Sequence, residues 1–154
     1  MNYDEENLLD ELKWKHDKRI AQKTKENDVD AFLLSAEVMS YKNAKNKKLK
    51  IRNLLLTKKF LYFISEFTFC MINTFSIKRK IPVKYFEKVT LGKNSRECVL
   101  HIKDQDDIFL SSAGGKRSKD EEAKSLEKFQ RILKEIDKAY TNQTNKNLPV
   151  FILV

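Results

Sequence analysis

"LKIRNLLLTKKFLYFIS", residues 49–65, holds two apolar runs, residues 54–56 and 60–64, parted by Lys58 and Lys59. Short Leu-rich, β-branched and aromatic runs bounded by Lys, Asn and Asp clusters are the pattern of consecutive antiparallel strands. The pattern continues on both sides of this stretch and predicts seven strands, over residues 37–42, 49–57, 60–65, 75–81, 86–91, 98–103 and 107–112. Each has an ordinary strand length. Residues 66–74, "EFTFCMINT", admit three readings: a longer third strand, an extra hairpin arm or a loop. With only three Gly and two Pro in the chain, Asn and Asp must do much of the turning.

Beyond "SSAGG" (111–115) the period changes. Ala123, Leu126, Phe129, Leu133, Ile136 and Tyr140 recur at helical steps and fall on one face of an α-helix. Ser118 and Glu121 have the spacing of a capping box, and Asp120, Glu121 and Glu122 occupy the first turn, where the helix dipole favours acids. A polar segment, 141–147, leads to "LPVFILV" (148–154). This reads either as a final strand, ordered and buried on its own domain, or as a free tail able to add to another protein's sheet edge. Upstream, residues 4–26 lack Gly and Pro and are rich in helix formers, predicting one helix with a thin stripe of Leu8, Leu9, Leu12 and Ile20, interrupted at His16 and Arg19. The expected organisation is an acidic helical extension (1–30), a mainly β domain (31–141), and a linker with a terminal strand or tail (142–154). Seven strands followed by one amphipathic helix predict an α+β, mainly β fold. It would be a bent antiparallel barrel or sandwich with the helix over one open end, a layout similar to the pleckstrin homology superfold.

Charge is unevenly spread. Residues 1–30 hold 9 acidic and 6 basic side chains, and the remainder holds 13 acidic and 25 basic within a net +9. A field that positive draws anionic surfaces, whether membrane, nucleic acid or an acidic protein face. Nucleic-acid binding rests on net charge alone, and no specific nucleic acid is expected. No run approaches the roughly 20 apolar residues of a bilayer span, and the acidic start lacks a secretion signal's pattern, so a cytoplasmic chain without a transmembrane segment is expected. Cys70 and Cys98 lie in strand-like contexts without metal-ligand spacing and read as reduced core thiols. The two histidines, His16 and His101, have no evident nucleophile or second ligand beside them; no catalytic residue, metal site or cofactor is expected. Phe60, Tyr62, Phe63, Phe67 and Phe69 read as core aromatics rather than base-stacking platforms.

Four segments carry a closer resemblance: "LLLTKKFLYFI" (54–64), "IKRKIPVKYFEKVTLGK" (77–93), "VLHIKDQDDIFLSS" (99–112) and "LPV" (148–150). In this order they resemble the myosin-I tail homology domain, a membrane-binding module similar in fold to pleckstrin homology domains, over roughly residues 31–152. With no motor or calmodulin-binding neck in the sequence, the resemblance implies a freestanding module or an assembly subunit. It also implies a lipid head-group site with a basic residue near the end of the first strand, Lys42, and Lys50 and Arg52 on the second, with Lys45, Lys47 and Lys48 between them.

Strand alternation independently puts Lys48, Lys50 and Arg52 on one face with Leu54 and Leu56, setting cations at the mouth of a barrel with an apolar floor. Lys offers a point charge and Arg a fork for phosphate oxygens, a set suited to anionic phospholipid or a phosphoinositide. The same lysines also read as solvated loop and edge charges, or as a diffuse patch for anionic membrane. By alternation Arg79 joins Ile77 and Ile81, while Lys78 and Lys80 face away, which makes Arg79 the mouth candidate of that cluster. "AGGKRS" (113–118) lacks nucleotide-loop spacing and reads as a strand-to-helix connection. The leading expectation is a noncatalytic membrane-recruitment module, peripheral to membrane or cytoskeleton. The competing one is a protein adaptor or subunit of a large assembly that docks through residues 4–26 or 148–154.

Overall fold

The computed structural model describes residues 8–41, 45, 48–93, 96–112 and 118–153. Eight strands lie in one sheet: β1 (Phe32–Ser40), β2 (Lys50–Thr57), β3 (Phe60–Phe69), β4 (Ile72–Pro82), β5 (Phe86–Leu91), β6 (Glu97–Ile102), β7 (Ile108–Ser111) and β8 (Val150–Ile152). Their order is β4-β3-β2-β1-β7-β6-β5-β8, with every pairing antiparallel except β5 with β8. The sheet bends so that inward side chains of β1, β2, β3, β5, β6 and β7 meet in a single core, into which a long helix, α2 (Lys119–Thr144), inserts Phe129, Ile132, Ile136 and Ala139. Burying each such Leu, Ile or Phe contributes about 1.5–3 kcal/mol. The fold is therefore the α+β, mainly β arrangement expected, with the helix capping one end.

Local chemistry explains the boundaries. Ser118 caps α2 by accepting the Glu121 N–H at 3.3 Å, and Asn145, in a left-handed conformation, ends it. The buried face of α2 is turned slightly from the one expected. Ile132 and Ala139 are buried, whereas Ala123 is exposed. On β2, Leu54 and Leu56 enter the inner core, while Leu55 joins a second cluster on the opposite face with Tyr62, Ile64 and Phe75. Cover on both faces is why three leucines stand in a row instead of alternating with polar residues.

The cover on that second face is the N-terminal segment, which does not form the single helix its composition predicts. Of the helix expected over 4–26, only α1 (Lys18–Thr24) forms among the described residues. Asp10 pairs with Ser35 in an isolated bridge, Ser35 donates its backbone N–H to the Leu9 carbonyl at 2.9 Å, and the Glu11 N–H donates to the Ser35 carbonyl at 3.0 Å. β7 pairs with β1 only at Met39, so this short bridge satisfies an edge of β1 that would otherwise be bare. The Asp10 carboxylate then accepts the Trp14 and Lys15 N–H groups, and Asp17 caps α1. These side chain-to-backbone bonds compete successfully with a continuous helix. The apolar residues consequently divide: Leu9 packs on the inner core, while Trp14, Ile20, Leu8 and Leu12 pack on the outer cluster, Trp14 meeting Phe75 edge-on at 5.8 Å.

Residues 66–74 resolve into the longer third strand and a tight hairpin. Phe69 pairs with Ile72 across a two-residue turn, in which Cys70 and Met71 both take positive φ (50° and 65°). Two consecutive left-handed residues match the twist of a hairpin, at a cost of roughly 1–2 kcal/mol for each side chain that is not glycine. Cys70, Phe67 and Phe69, expected in the core, are exposed because the hairpin runs past the body of the sheet; Cys98 is buried as expected. The C-terminal residues do form a strand on their own domain, with Leu148 buried. Val150, Phe151, Ile152 and Leu153, however, remain exposed, in place of the burial expected for a final strand.

Candidate functional site

The adjoining ends of β1 and β2, the middle of the β3–β4 pair and the β6–β7 turn surround one opening of the sheet. Between them is a cleft of about 990 Å³, lined by residues of all three, including Tyr41, Lys50, Arg52, Lys78, Arg79 and Asp106. Phe63 and Ile108, both of the inner core, supply its apolar floor, Ile64 of the outer cluster also borders it, and Ser40, Ser65 and Gln105 add neutral hydrogen-bonding groups. Tyr41 stacks on Phe109 with ring centroids 5.0 Å apart, fixing the rim where β1 leaves the sheet.

Each cation has a structural reason for its place. Lys50 and Arg52 sit two residues apart on β2, with Leu54 and Leu56 anchoring the same face in the core. Alternation alone thus carries charge from the rim to the apolar floor. Arg79 is half-buried and donates a hydrogen bond to the Asp106 carbonyl, tying β4 to the β6–β7 turn. Burial lowers its pKa from the ordinary value, and the Asp106 and Asp107 carboxylates act in the opposite direction. The guanidinium stays charged.

Lys78 is a correction. Regular alternation places it on the face away from Arg79, yet both line the cleft. The β3–β4 register shifts at this point: Phe63 pairs with Arg79, but Ile64 pairs with Ile77, leaving Lys78 as the extra residue of a β-bulge. A bulge sets two residues opposite one and resets the phase of the strand. Ile81 therefore packs in the inner core and Ile77 on the outer cluster, although four residues of perfect alternation would place them together. Lys80 lies on the outer side, its ammonium 4.2 Å from the Phe60 ring centroid and 5.7 Å from that of Tyr62.

Of the other expected cations, Lys45 and Lys48 are exposed and not part of the cleft lining. Lys42 and Lys47, and the connection at 113–117, lie outside the described residues. The cleft also holds two acids, Glu66 and Asp106. Among the described residues Lys50, Arg52 and Lys78 are in no ion pair, so the lining presents a cationic surplus.

His101 lies outside this cleft. Its Nδ1 is 2.9 Å from Asp107 Oδ2 and its Nε2 is 2.9 Å from Thr90 Oγ1. Asp107 also accepts the Ile102 N–H at 3.4 Å, so the group pins the β6–β7 turn that carries Gln105 and Asp106 to the cleft. Among the described residues no His, Cys, Asp and Glu cluster has the form of a metal site, and no helix is long and apolar enough to cross a membrane.

This architecture is a pleckstrin homology-like fold. It is similar to the hSac2 domain of the human phosphoinositide phosphatase Sac2, with a TM-score of 0.51, 13% identity, and coverage of 80% of this chain and 77% of that one. It is also similar to a structure of the Vav1 exchange factor that includes its PH and C1 domains, with a TM-score of 0.54, 11% identity, and coverage of 84% of this chain and 34% of that one. The chain thus spans about a third of the Vav1 chain. No protein-family model matches the sequence, and no curated protein matches it either.

Proposed function

We propose that the protein is a noncatalytic recruitment module that binds anionic phospholipid, including phosphoinositide, at the cleft formed by Lys50, Arg52, Lys78 and Arg79. The convergence of these four cations from β2 and β4 on one opening with an apolar floor is the observation that carries the reading. Arg79, pre-positioned by Asp106, offers a fork to phosphate oxygens, and the lysines add point charges. The resemblance to myosin-I tail homology segments and the pleckstrin homology-like fold both agree with this reading, as does the excess of basic residues after residue 30. Lys42, Lys45, Lys47 and Lys48 on the β1–β2 connection supply a wider field that draws the cleft toward an anionic leaflet, peripheral to the membrane on the cytoplasmic side. The unit that binds comprises residues 31–141.

Cosedimentation with phosphatidylcholine vesicles containing phosphatidylserine, with and without phosphatidylinositol bisphosphate, tests it. At roughly 1 kcal/mol per cation near the surface, K50A/R52A weakens binding about 30-fold and flattens its salt dependence. Undiminished binding by that variant refutes the assignment.

A protein-adaptor role is favoured by one observation, the exposed Val150, Phe151 and Ile152 on β8, an edge strand whose outer side pairs with no described strand. Such an edge can accept a strand from a partner. Capture of a partner that survives deletion of residues 148–154 removes this reading's support. The apolar side chains of the described part of the other proposed arm, residues 8–26, are engaged with the domain's own sheet.

A further inference from the structure

We propose that the tip of the β3–β4 hairpin is a membrane-inserting wedge, which enters the boundary between head groups and acyl chains while the adjacent cleft engages the phosphates. This rests on the membrane reading above and adds a second, apolar contact to it.

Four large apolar side chains at the tip face solvent: Phe67 (47% exposed), Phe69 (68%), Met71 (97%) and Ile72 (66%). No charged residue occurs from 67 to 77, in a chain that is 34% charged. On β3, Phe67 and Phe69 fall by alternation on the same face as Phe63 and Ser65, and all four residues from 63 to 66 border the cleft. β3 therefore leads from the cleft directly to the apolar tip. At about 3.3 Å per residue, the strand extends roughly 10 Å beyond Glu66, the last cleft residue of β3. The turn keeps Cys70 and Met71 in left-handed conformations, in which Met71 is held almost entirely in solvent.

The surrounding chemistry selects a bilayer as the occupant. Four side chains at the end of a two-stranded ribbon fall short of the roughly 800 Å² per partner of a stable protein interface, and their projecting shape offers no groove for a partner segment. A lipid interface needs neither. It requires an apolar element of shallow depth beside cations that meet its phosphates, and Lys50, Arg52, Lys78 and Arg79 line the cleft at the base of the hairpin.

The turn contains its own reporter site. Cys70 is exposed and Cys98 is buried, so a thiol-reactive, environment-sensitive fluorophore marks the tip alone. With phosphatidylcholine vesicles containing phosphatidylserine, the Cys70 probe is expected to shift to shorter emission wavelengths. It is expected to become quenchable by lipid-borne quenchers and to be shielded from aqueous iodide. F69S/M71S, at two solvent-facing positions, is expected to weaken vesicle binding about tenfold or more while leaving its salt dependence unchanged. K50A/R52A instead reduces the salt dependence. The emission of Trp14, the only tryptophan, checks that each variant is folded. Wild-type protein that cosediments while its Cys70 probe stays accessible to iodide overturns the wedge and leaves the cleft assignment standing. Failure of wild-type protein to bind any anionic vesicle overturns both. A lipid-free dimer abolished by F69S/M71S identifies the tip as a contact between copies and likewise overturns the wedge.

Discussion

Replacing Tyr62 with Phe tests how the N-terminal segment is held to the domain. The Tyr62 ring is fully buried between β2, β4 and the segment, and its hydroxyl donates to Glu26 Oε2 at 2.7 Å. Glu26 Oε1 also accepts from Thr57 Oγ1 at 3.1 Å, so the carboxylate bridges two strands and keeps one partner when the phenol is removed. Phenylalanine fits the same space and leaves no donor unsatisfied. A hydrogen bond to a charged group contributes about 1.5–3 kcal/mol, and the remaining Thr57 bond puts the expected loss at the lower end, about 1.5 kcal/mol. For a chain of this size that corresponds to a fall in Tm of about 3–6 °C. Urea denaturation of wild type, Y62F, E26A and the double variant should give a coupling energy of about 1–2 kcal/mol, because the two groups interact directly. The same residue has a signature in pH. Burial, followed by the bond to Glu26, raises the Tyr62 pKa above its ordinary 10.0. The unfolded chain therefore releases this proton first as pH rises through about 10, and the native state loses stability there. Y62F should lack that part of the alkaline decline. A coupling energy below about 0.5 kcal/mol, together with an unchanged alkaline limb, would refute the placement of Glu26 on Tyr62 and with it the docking of the segment.

Three further outcomes follow from the packing. W14A removes a buried ring set against Phe75 and should cost about 3–5 kcal/mol by urea denaturation; a change below about 1 kcal/mol would mean that the outer cluster does not need its cover. Burial pushes the Cys98 thiol up to about 12 from 9.0. Alkylation followed by mass spectrometry should modify Cys70 first, and Cys98 should contribute to a loss of stability between about pH 9 and 12 as only the unfolded thiol ionises. Equal alkylation rates would contradict its position in the core. D107N weakens the tie to His101, a partly exposed pair, and should cost about 0.2–1 kcal/mol while accelerating amide hydrogen exchange at residues 103–107. Unchanged exchange would show that the turn is held by other contacts.

The strands and the capping helix were legible because local signals and tertiary burial agree in them. The run from Lys50 to Leu56 shows its passage from rim to core directly, and the Ser118 cap marks the start of α2 within one residue. The N-terminal segment departs from the helix its composition predicts because helix propensity is a weak term there. The bare edge of β1 and the carboxylates of Asp10 and Asp17 offer the backbone alternative partners, none of which is encoded within the segment's own periodicity. Phe67 and Phe69 lie outside the expected core for a different reason. Aromatic residues are usually core, and only the length of the hairpin relative to its neighbours shows that β3 outruns the sheet.

The bulge at Lys78 connects these points to function. Regular alternation through "IKRKI" (77–81) would place Arg79 and both isoleucines on one face and send Lys78 to the other. One unpaired residue instead lets Ile77 cover the outer cluster and Ile81 the inner core, and brings Lys78 to the cleft beside Arg79. It also divides β4 into two parts with different packing: after the bulge Ile81 enters the inner core, while before it Ile77 and Phe75 pack on the outer cluster and lead into the projecting hairpin. A bulge bends its strand and increases the local twist, so the irregularity that brings Lys78 beside Arg79 also affects the direction in which the rest of β4 runs toward the hairpin tip. Cation placement and hairpin direction are therefore coupled through a single backbone feature. Deleting Lys78 should disturb both vesicle binding and the Cys70 environment, whereas K78A should reduce only the electrostatic contribution, by about 1 kcal/mol. Equal effects of the deletion and of K78A would show that the bulge supplies a charge and nothing more.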